Sequence, residues 1–390
     1  MISYEDALRL ISSSTKKLHQ MTICLSDASG YRLAQEVRAD RPYPPYNRAA
    51  MDGIAIRFQD YLDGVQNFNI QEVIYAGSAS EGVLTHGNCY KIMTGAAVPS
   101  SADTIVRNED LLYVANKASI VHHEKIKSHA NIALRGQDLQ SGEVVIPSNT
   151  YITPSIISLL ATLGVTNPVV FRKPKVSVFT TGDEIVGPEE SPNEVQIRNS
   201  NQYLLTALLA KDGIIPESIQ HIKDAEADLY KGFMERMDSD IMLVNGGVSA
   251  GDRDLVPTVM KTLGAELLFH HVAIKPGKPL WCGKLPGGCL VFGIPGNPFS
   301  CLTTYILFIR PFLNSKPTSS VKFPLACDRI GKSTFDDFFP VQFSEEHKLA
   351  PIPINGSGDV RLGLFADGIA RHHRANRILK KNDLISFYAF

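Results

Sequence analysis

Four glycine-containing motifs in the second half of the chain combine residue types that bind oxyanions and divalent cations. They are Thr181-Gly-Asp-Glu184, Gly246-Gly-Val-Ser-Ala-Gly-Asp-Arg-Asp254, Lys275-Pro-Gly-Lys278 and Gly293-Ile-Pro-Gly-Asn-Pro298. Glycines let backbone N–H groups come close to an anion, and lysine ammonium groups attract it. Carboxylates beside them are typical of Mg²⁺ sites, where substrate oxygens complete the ligand shell. These residue types indicate a site for phosphate or a similar oxyanion beside a divalent cation.

Each of these motifs is by itself also typical of an ordinary turn. Gly-Gly pairs are common in turns, and a Lys-Pro-Gly-Lys sequence is common at a solvated corner. The sequence contains neither the Gly-x-x-x-x-Gly-Lys-Ser/Thr phosphate-binding loop nor the Gly-x-Gly-x-x-Gly dinucleotide fingerprint. The prediction therefore depends on the recurrence of glycine, lysine and carboxylate at equivalent positions.

A second group of candidate residues lies in the first 140 residues. The motifs are Pro44-Pro-Tyr-Asn-Arg-Ala-Ala-Met-Asp-Gly53, Lys91-Ile-Met-Thr-Gly-Ala-Ala-Val-Pro99 and Arg135-Gly-Gln-Asp138. They present Asp52 and Thr94 directly before glycines. Because Asp-Gly and Thr-Gly pairs are common in turns, the residues alone leave a structural and a functional role open.

The first group of motifs must be positioned by alternating strands and helices. The sequence predicts strands at 176–179, 214–222, 240–244, toward 274 and at 289–292, and helices at 203–211, 225–237, 255–263 and 299–312. This alternation is typical of a doubly wound, mostly parallel sheet. Right-handed crossovers would place the loops after the strands along one edge, where such sheets bind ligands.

The remaining chain predicts a multidomain α/β protein. Ser3 and Asp6 form a capping box before a helix whose buried stripe is Ala7, Leu8, Leu10 and Ile11. We expect a helical and linking domain from residues 1–40 and 140–172, a β-rich domain at 41–139, the α/β domain at 173–315, and a small β-rich, barrel-like domain at 316–390.

Composition excludes several classes of protein. The 390 residues carry 39 basic and 40 acidic side chains, a formal net charge of −1, so no global field attracts nucleic acid or a membrane surface. The N-terminal residues lack the basic and apolar regions of a secretory signal, and the most apolar stretches, 156–165 and 305–313, are too short to span a bilayer. We therefore expect a cytoplasmic protein with no nucleic-acid or membrane partner.

The cysteines and paired histidines have structural interpretations. No two of the six cysteines form a Cys-x-x-Cys pair, so we interpret them as reduced, small buried residues. Histidine pairs occur at 122–123, 270–271 and 372–373. They lack His-x-x-x-His spacing, and strand alternation directs neighbours to opposite faces, so we expect them to be structural or exposed rather than metal ligands.

Taken in order, the motifs resemble the MoeA family of molybdopterin molybdenumtransferases, which is related to the gephyrin E domain. Pro-Pro-Tyr, Ala-Met-Asp-Gly, Met-Thr-Gly-Ala-x-Val-Pro and Thr-Gly-Asp-Glu are followed by Gly-Gly-Val-Ser-x-Gly-Asp, Lys-Pro-Gly-Lys-Pro and Gly-x-Pro-Gly-Asn-Pro. The resemblance covers about residues 1–312 and thins beyond 316 to Gly356-Ser-Gly and Ala366-Asp-Gly. It implies a MogA-like central domain and a small β-rich C-terminal domain.

The resemblance implies a transferase of molybdenum cofactor biosynthesis. Its substrates would be molybdate and adenylylated molybdopterin, and molybdate would be inserted into the dithiolene with Mg²⁺-dependent release of AMP. The family also implies a homodimer in which each cleft draws on both subunits. A contact with the molybdopterin adenylyltransferase that makes the substrate is compatible with it.

The resemblance also assigns roles to positions of this chain. The implied catalytic residues are Asp52, Thr94, Glu184, Lys275 and Lys278. The implied ligand-binding residues are Asp138, Thr181, Gly182, Asp183, Gly246, Gly247, Ser249, Gly251, Pro276, Gly277, Pro295, Gly296 and Asn297. The implied metal ligands are Glu184, Asp224, Asp252 and Asp254. We assign the lysines to phosphate and molybdate, Glu184 with Asp254 to Mg²⁺ with Asp252 in reserve, and the turn 246–251 to the pterin phosphate.

This chain departs from the family pattern near the first motif. It has Asn47, Arg48 and Ala49 where an acidic or amide residue and Ser are common, Ile54 where an aromatic residue is usual, and Ala97 where proline is common. Arg48 adds positive charge, so we expect an effect on specificity rather than on activity.

Two other interpretations stay open at this stage. A binding or scaffold protein could use the same fold, as the gephyrin E domain does in receptor clustering. The absence of a disordered extension in the sequence argues against that role. A related enzyme with the same type of sheet, such as the adenylyltransferase or a nucleotide pyrophosphatase, would lack the N-terminal Met-Asp-Gly and Met-Thr-Gly segments.

Overall fold

A computed structural model describes residues 1–14, 19–78, 80–123, 126–248, 254–313, 321–331 and 333–390. The chain forms two compact units. We call residues 20–171 the β-rich unit, and residues 1–19 together with 172–390 the α/β unit.

The first helix, α1 (Tyr4–Ser13), belongs to the α/β unit. The predicted Ser3 cap is confirmed, because Asp6 N donates to Ser3 Oγ at 3.0 Å, and the Asp6 side chain accepts from the Ser3 hydroxyl at 2.7 Å. Ala7 and Ile11 are buried in the same core as Val176. The predicted grouping of residues 1–40 therefore needs correction, since α1 packs with the sheet that begins at 176.

The β-rich unit consists mainly of short antiparallel strands. Its strands are β1 (Gln20–Thr22), β2 (Arg32–Leu33), β3 (Val37–Arg38), β4 (Arg48–Ala49), β5 (Gly53–Ile56), β6 (Asn67–Ile74), β7 (Asn88–Ile92), β8 (Thr104–Arg107), β9 (Leu111–Val114), β10 (Lys117–Ile120), β11 (Ile132–Ala133), β12 (Val144–Ile146) and β13 (Val169–Phe171). Its helices are α2 (Phe58–Leu62) and α3 (Pro154–Thr162). The main sheet has the order β8-β5-β7-β6-β10-β9, and β1-β13-β2, β11-β4 and β12-β3 form smaller sheets.

Close packing of β5 against β8 explains the glycine that follows Asp52. A Cβ atom added to Gly53 would lie 1.9 Å from the carbonyl oxygen of Val106. The strands could not remain paired at this register with any side chain there, so the Asp-Gly pair is required by the sheet itself.

The α/β unit contains the predicted alternation of strands and helices, followed by a second sheet. Its strands are β14 (Val176–Thr181), β15 (Ile185–Val186), β16 (Ile197–Arg198), β17 (Ser218–Ile222), β18 (Ile241–Asn245), β19 (Glu266–His270), β20 (Ile274–Lys275), β21 (Trp281–Lys284), β22 (Leu290–Ile294), β23 (Val321–Pro324), β24 (Arg329–Ile330), β25 (Asp336–Phe343), β26 (Leu349–Pro351), β27 (Gly368–His372), β28 (Ile378–Leu379) and β29 (Leu384–Ala389). Its later helices are α4 (Asn201–Lys211), α5 (Glu226–Met234), α6 (Val256–Thr262), α7 (Pro298–Thr304), α8 (Arg310–Leu313) and α9 (Leu362–Phe365), with a π-helical turn (Tyr305–Ile309) between α7 and α8.

The central sheet has the order β17-β14-β18-β22-β21-β19. The first four strands are parallel, whereas β21 and β19 are antiparallel to their neighbours. Val178 and Leu243 point into one core and Phe179 and Val244 into another, so both faces are covered. The predicted doubly wound, mostly parallel sheet is confirmed, and the sequence analysis missed β21.

The second sheet, which we call the C-terminal sheet, has the order β20-β25-β27-β29-β23, with β26 paired to β25. The β20 strand pairs with β25 in parallel, with Lys275 opposite Asp337. The Lys275-Pro-Gly-Lys278 loop lies between β19 and β21 of the central sheet, and backbone hydrogen bonds also attach its first residue to the C-terminal sheet.

Two smaller observations complete the fold. Cys89, Cys282, Cys289 and Cys301 are buried, but Cys24 and Cys327 are exposed, which corrects the expectation that all six are buried. Within the described part of the chain, every helix is too short or too polar to cross a bilayer.

Candidate active site

An open cleft of about 1840 Å³ in the α/β unit brings the predicted turns together. Its lining includes the predicted residues Thr181, Gly182, Asp183, Glu184, Asp224, Gly246, Gly247, Asp254, Lys275, Pro276, Gly277, Lys278, Pro295, Gly296 and Asn297. This volume exceeds the roughly 300–1,000 Å³ of a typical drug-sized site. Ser249, Gly251 and Asp252 lie outside the described residues.

Close contact between two strand ends forms one part of the cleft. Thr181 ends β14, and Gly246 follows β18 with a φ of +100°. A Cβ atom at Gly246 would lie 2.6 Å from the carbonyl oxygen of Thr181. Glycine is therefore required both by the backbone conformation and by the approach of the two turns.

Three carboxylates gather at the ends of β14 and β17. Asp183 and Glu184 are exposed, and Asp224 is half-buried with its backbone N donating to Asp183 Oδ1 at 3.2 Å. Burial is the main cause that raises the pKa of Asp224, and repulsion from Asp183 and Glu184 raises it further, against the opposing effect of the nearby Thr181 hydroxyl. The ionised form of Asp224 is disfavoured, so a cation bound among these groups would be stabilised.

The lysine loop offers positive charge to the same cleft. Lys275 and Lys278 are exposed, and no carboxylate in the described ranges forms an ion pair with either one. The Lys278 ammonium lies 5.6 Å from the centre of the Phe335 ring. Gly277 has a φ of +99°, and a Cβ atom there would lie 2.8 Å from Thr304 Cγ2 on α7. The loop is thus packed at its glycine while its ammonium groups remain available to an anion.

Two asparagines that the sequence analysis did not select hold the 293–298 turn. Asn245 Nδ2 donates to Pro295 O at 2.9 Å, and Asn201 Nδ2 donates to Asn245 Oδ1 at 2.9 Å and to Gly296 O at 2.5 Å. Asn245 ends an apolar strand and Asn201 begins a helix, which is the signal that could have identified them.

The C-terminal part of the chain also lines the cleft. Asn297 Nδ2 donates to Ser357 Oγ at 2.9 Å, and Phe299 N donates to Ser357 O at 3.0 Å. Asp328, Arg329, Phe335 and Asp337 are further lining residues. Short, separated strands gave the sequence analysis no reason to select them.

In the β-rich unit, Asp52 and Thr94 form a hydrogen-bonded pair. Thr94 donates to Asp52 Oδ1 from its backbone N at 2.6 Å and from its hydroxyl at 2.8 Å. These two bonds, the backbone one first, hold the pKa of the exposed Asp52 below its ordinary value. The carboxylate is therefore ionised and fixed in orientation.

Backbone hydrogen bonds connect the three N-terminal motifs. Asn47 Oδ1 accepts from Arg135 N at 2.9 Å, and Asn47 O accepts from Val98 N at 2.8 Å. Asp138 is exposed, and its N donates to Tyr43 O at 2.9 Å. Asn47 thus has a structural role at a position where this chain departs from the family pattern.

Comparison with known proteins agrees with this geometry. The model of the MoeA N-terminal region (domain I and II) matches residues 2–164, and the model of a probable molybdopterin binding domain matches residues 177–315. The chain is 27% identical to a molybdopterin molybdenumtransferase of Synechocystis sp. over 396 residues, covering all of both chains. It is 30% identical to the Staphylococcus epidermidis protein of that name over 338 residues, covering 83% of this chain and 78% of the relative.

A solved structure is also similar to this chain over its whole length. The molybdopterin biosynthesis MoeA protein of Pyrococcus horikoshii superposes with a TM-score of 0.80 at 26% identity, covering 100% of this chain and 99% of that one. With both halves matched by family models and the full length matched in sequence and structure, the chain belongs to the MoeA family.

Proposed function

We propose that this chain inserts molybdate into the dithiolene of adenylylated molybdopterin and releases AMP in a Mg²⁺-dependent reaction. As a MoeA-family member it is a transferase of molybdenum cofactor biosynthesis. The observation that carries the finer proposal is the composition of the cleft. Two lysines, a glycine turn and three carboxylates line it together, and neither lysine forms an ion pair among the described residues.

The lysines would reduce the electrostatic repulsion between the two anionic substrates. Molybdate and the phosphoanhydride are both anions, and like charges at contact distance repel strongly in a site of low dielectric. Lys275 and Lys278 would bind these oxyanions and offset the repulsion, and the backbone amides of Gly247 and Val248 would add fixed dipoles. We assign Lys275 and Lys278 to catalysis for this reason.

We propose that carboxylates of the cleft bind Mg²⁺ through oxygens that must move closer together, since in the described part of the chain no three of them lie within 4.8 Å of one another. Hard oxygen ligands are what Mg²⁺ prefers, and the raised pKa of Asp224 indicates that a positive charge would relieve the repulsion from Asp183 and Glu184. Glu184, Asp254 and Asp224, which all line the same cleft, would hold the ion. When bound, Mg²⁺ supplies electrostatic stabilisation of charge on phosphoryl oxygens.

The Asp52 and Thr94 pair supports a proposal about assembly. We infer a homodimer in which the surface of one subunit that carries Asp52, Thr94 and Asp138 completes the cleft of the other. A fixed, ionised carboxylate suits the orientation of a substrate hydroxyl or amine, as in the pterin. We also propose a cytoplasmic location and a transient contact with the adenylyltransferase that supplies the substrate.

The experiment is an assay of AMP release. Purified chain is incubated with adenylylated molybdopterin, molybdate and Mg²⁺, and AMP is quantified together with metal-containing cofactor. We expect AMP release that requires both molybdate and Mg²⁺. Release that is unaffected when molybdate is omitted would contradict the coupled reaction.

A further inference from the structure

His270, the first of two consecutive histidines, contacts a turn of the cleft. His270 Nε2 lies 3.0 Å from the carbonyl oxygen of Val248, directly after the glycine pair. Because a carbonyl oxygen only accepts, Nε2 carries a proton and donates it. The ring of His270 stacks on that of His271, with centroids 3.9 Å apart and planes inclined by 20°.

Val248 is buried, and its packing holds the turn in place. Its side chain is 2% exposed, and a Cβ atom at Gly293 would lie 2.8 Å from Val248 Cγ1. Gly246 N donates to Ile294 O at 3.1 Å, and Val256 N donates to Gly247 O at 3.2 Å. The residues 246–248 are therefore held by packing, by backbone hydrogen bonds and by the His270 side chain.

This arrangement leaves two consecutive backbone donors available. Within the ranges that the structure describes, the N–H groups of Gly247 and Val248 have no acceptor. Gly247 has a φ of +63°. Successive N–H groups around such a left-handed residue form a concavity that suits an oxyanion.

The second histidine connects this turn to the lysine loop. His271 N donates to Leu280 O at 3.1 Å, and Val272 N donates to Lys278 O at 3.0 Å. Burial, His270, Lys278 and the N-terminal amine, in that order, lower the pKa of His271, so its ring is neutral above mildly acidic pH. A neutral ring can stack on His270 without charge repulsion.

We propose that His270 is a positioning residue, whose Nε2–H hydrogen bond to the Val248 carbonyl orients the N–H groups of Gly247 and Val248 toward the phosphate of the substrate. The identity of that anion rests on the proposed function, whereas the hydrogen bond does not. His270 itself need not touch the substrate, because its effect passes through the Val248 peptide.

The test combines amide hydrogen exchange with steady-state kinetics on the full-length protein. H270A removes the donor, whereas H270Q replaces it with a side-chain amide of similar reach. H373A is the matched control, since His373 Nδ1 accepts a backbone hydrogen bond from Ala375 outside the cleft.

We expect H270A to accelerate exchange of the Val256 amide roughly 5- to 50-fold and to raise KM for adenylylated molybdopterin by a similar factor, with kcat changed less than about 2-fold. H270Q should restore both quantities to within about 3-fold of wild type, and H373A should change neither. A general loss of structure would instead lower kcat as well as changing KM, and it would accelerate exchange throughout the sheet.

Unchanged exchange and KM in H270A, or no restoration by H270Q, would overturn the proposal. If H270A does not fold, His270→Phe keeps the stacked ring without the donor and is held to the same criteria. Because exchange needs no turnover, a wild type that releases no AMP would refute the proposed function while exchange still decides the role of His270.

Discussion

The two candidate regions hold an aspartate in opposite electrostatic states. Asp224, in the cleft of the α/β unit, is half-buried beside two other carboxylates, and its pKa is raised. Asp52, in the β-rich unit, is exposed and accepts two hydrogen bonds from Thr94, and its pKa is lowered. Among the described residues, the negative charge of these three cleft carboxylates is thus not balanced by a nearby cation, whereas the Asp52 carboxylate is already stabilised by its two hydrogen bonds from Thr94. The contrast supports our proposal that the first aspartate lies where a cation binds and the second where a ligand is oriented.

The largest expected effect comes from the carboxylates of the cleft. Glu184→Gln and Asp254→Asn should each keep the fold and abolish Mg²⁺-dependent AMP release, because they remove the charge that holds the ion. AMP release and thermal unfolding of both variants check this. Asp328→Asn, on the same lining but outside the proposed metal group, is the control; unchanged AMP release in both cleft variants would remove them from the mechanism.

Removal of one ammonium group should have the next largest effect. Lys275→Ala should lower molybdate-dependent turnover by about 10²-fold, the usual magnitude for loss of one preorganised anion partner. Turnover measured over a molybdate titration checks this, with the exposed Lys322→Ala on the C-terminal sheet as the control. A titration curve identical to wild type would show that our lysine assignment is wrong.

The melting temperature of an Asp224 variant, measured with and without Mg²⁺, should show whether a cation binds beside this residue. Its pKa is raised on folding, so the folded chain binds this proton more tightly and loses stability as pH rises through the raised value. Asp224→Asn should therefore raise the melting temperature by a few degrees at pH 7 without Mg²⁺ and change it little near pH 3. The advantage should shrink when Mg²⁺ is added. A variant that melts below wild type at pH 7 without Mg²⁺ would contradict this account.

The smallest effect concerns the Asp52 pair. Thr94→Ala removes the hydroxyl donor but keeps the backbone one, so the pKa of Asp52 should rise part of the way to its ordinary value, and Thr94→Ser should leave it low. NMR titration of the Asp52 carboxyl carbon measures the shift. Equal values in the Ala and Ser variants would show that the hydroxyl bond does not contribute.

The sequence predicted the central sheet well because its signals are local. Apolar strands such as 176–179 and 240–244 are separated by amphipathic helices, and the rule for parallel strands then locates their ends together. The glycines at 246 and 182 were also informative, since both have positive φ in the structure.

Features that depend on long-range pairing could not be predicted. The pairing of β20 with β25 joins Lys275 to Asp337 across more than 60 residues of chain, and Ser357 reaches Asn297 from a similar distance in sequence. Trp281-Cys-Gly-Lys has no clear alternation, so β21 was missed. The roles of Ser249, Gly251 and Asp252 stay predictions from the family resemblance.

The attachment of Lys275 to the C-terminal sheet has a mechanical consequence. The carboxylates follow strands of the central sheet, whereas the first ammonium group is tied to β25 through Ile274 and Asp336. The loop that carries both lysines also joins β19 to β21 of the central sheet, where Val272 N donates to Lys278 O. The separation of negative from positive charge is therefore set both by that hairpin and by how the C-terminal sheet packs on the central one. Substitutions in the interface between these layers, remote from any substrate, should tune oxyanion affinity by a slight sliding of the layers and leave each sheet intact.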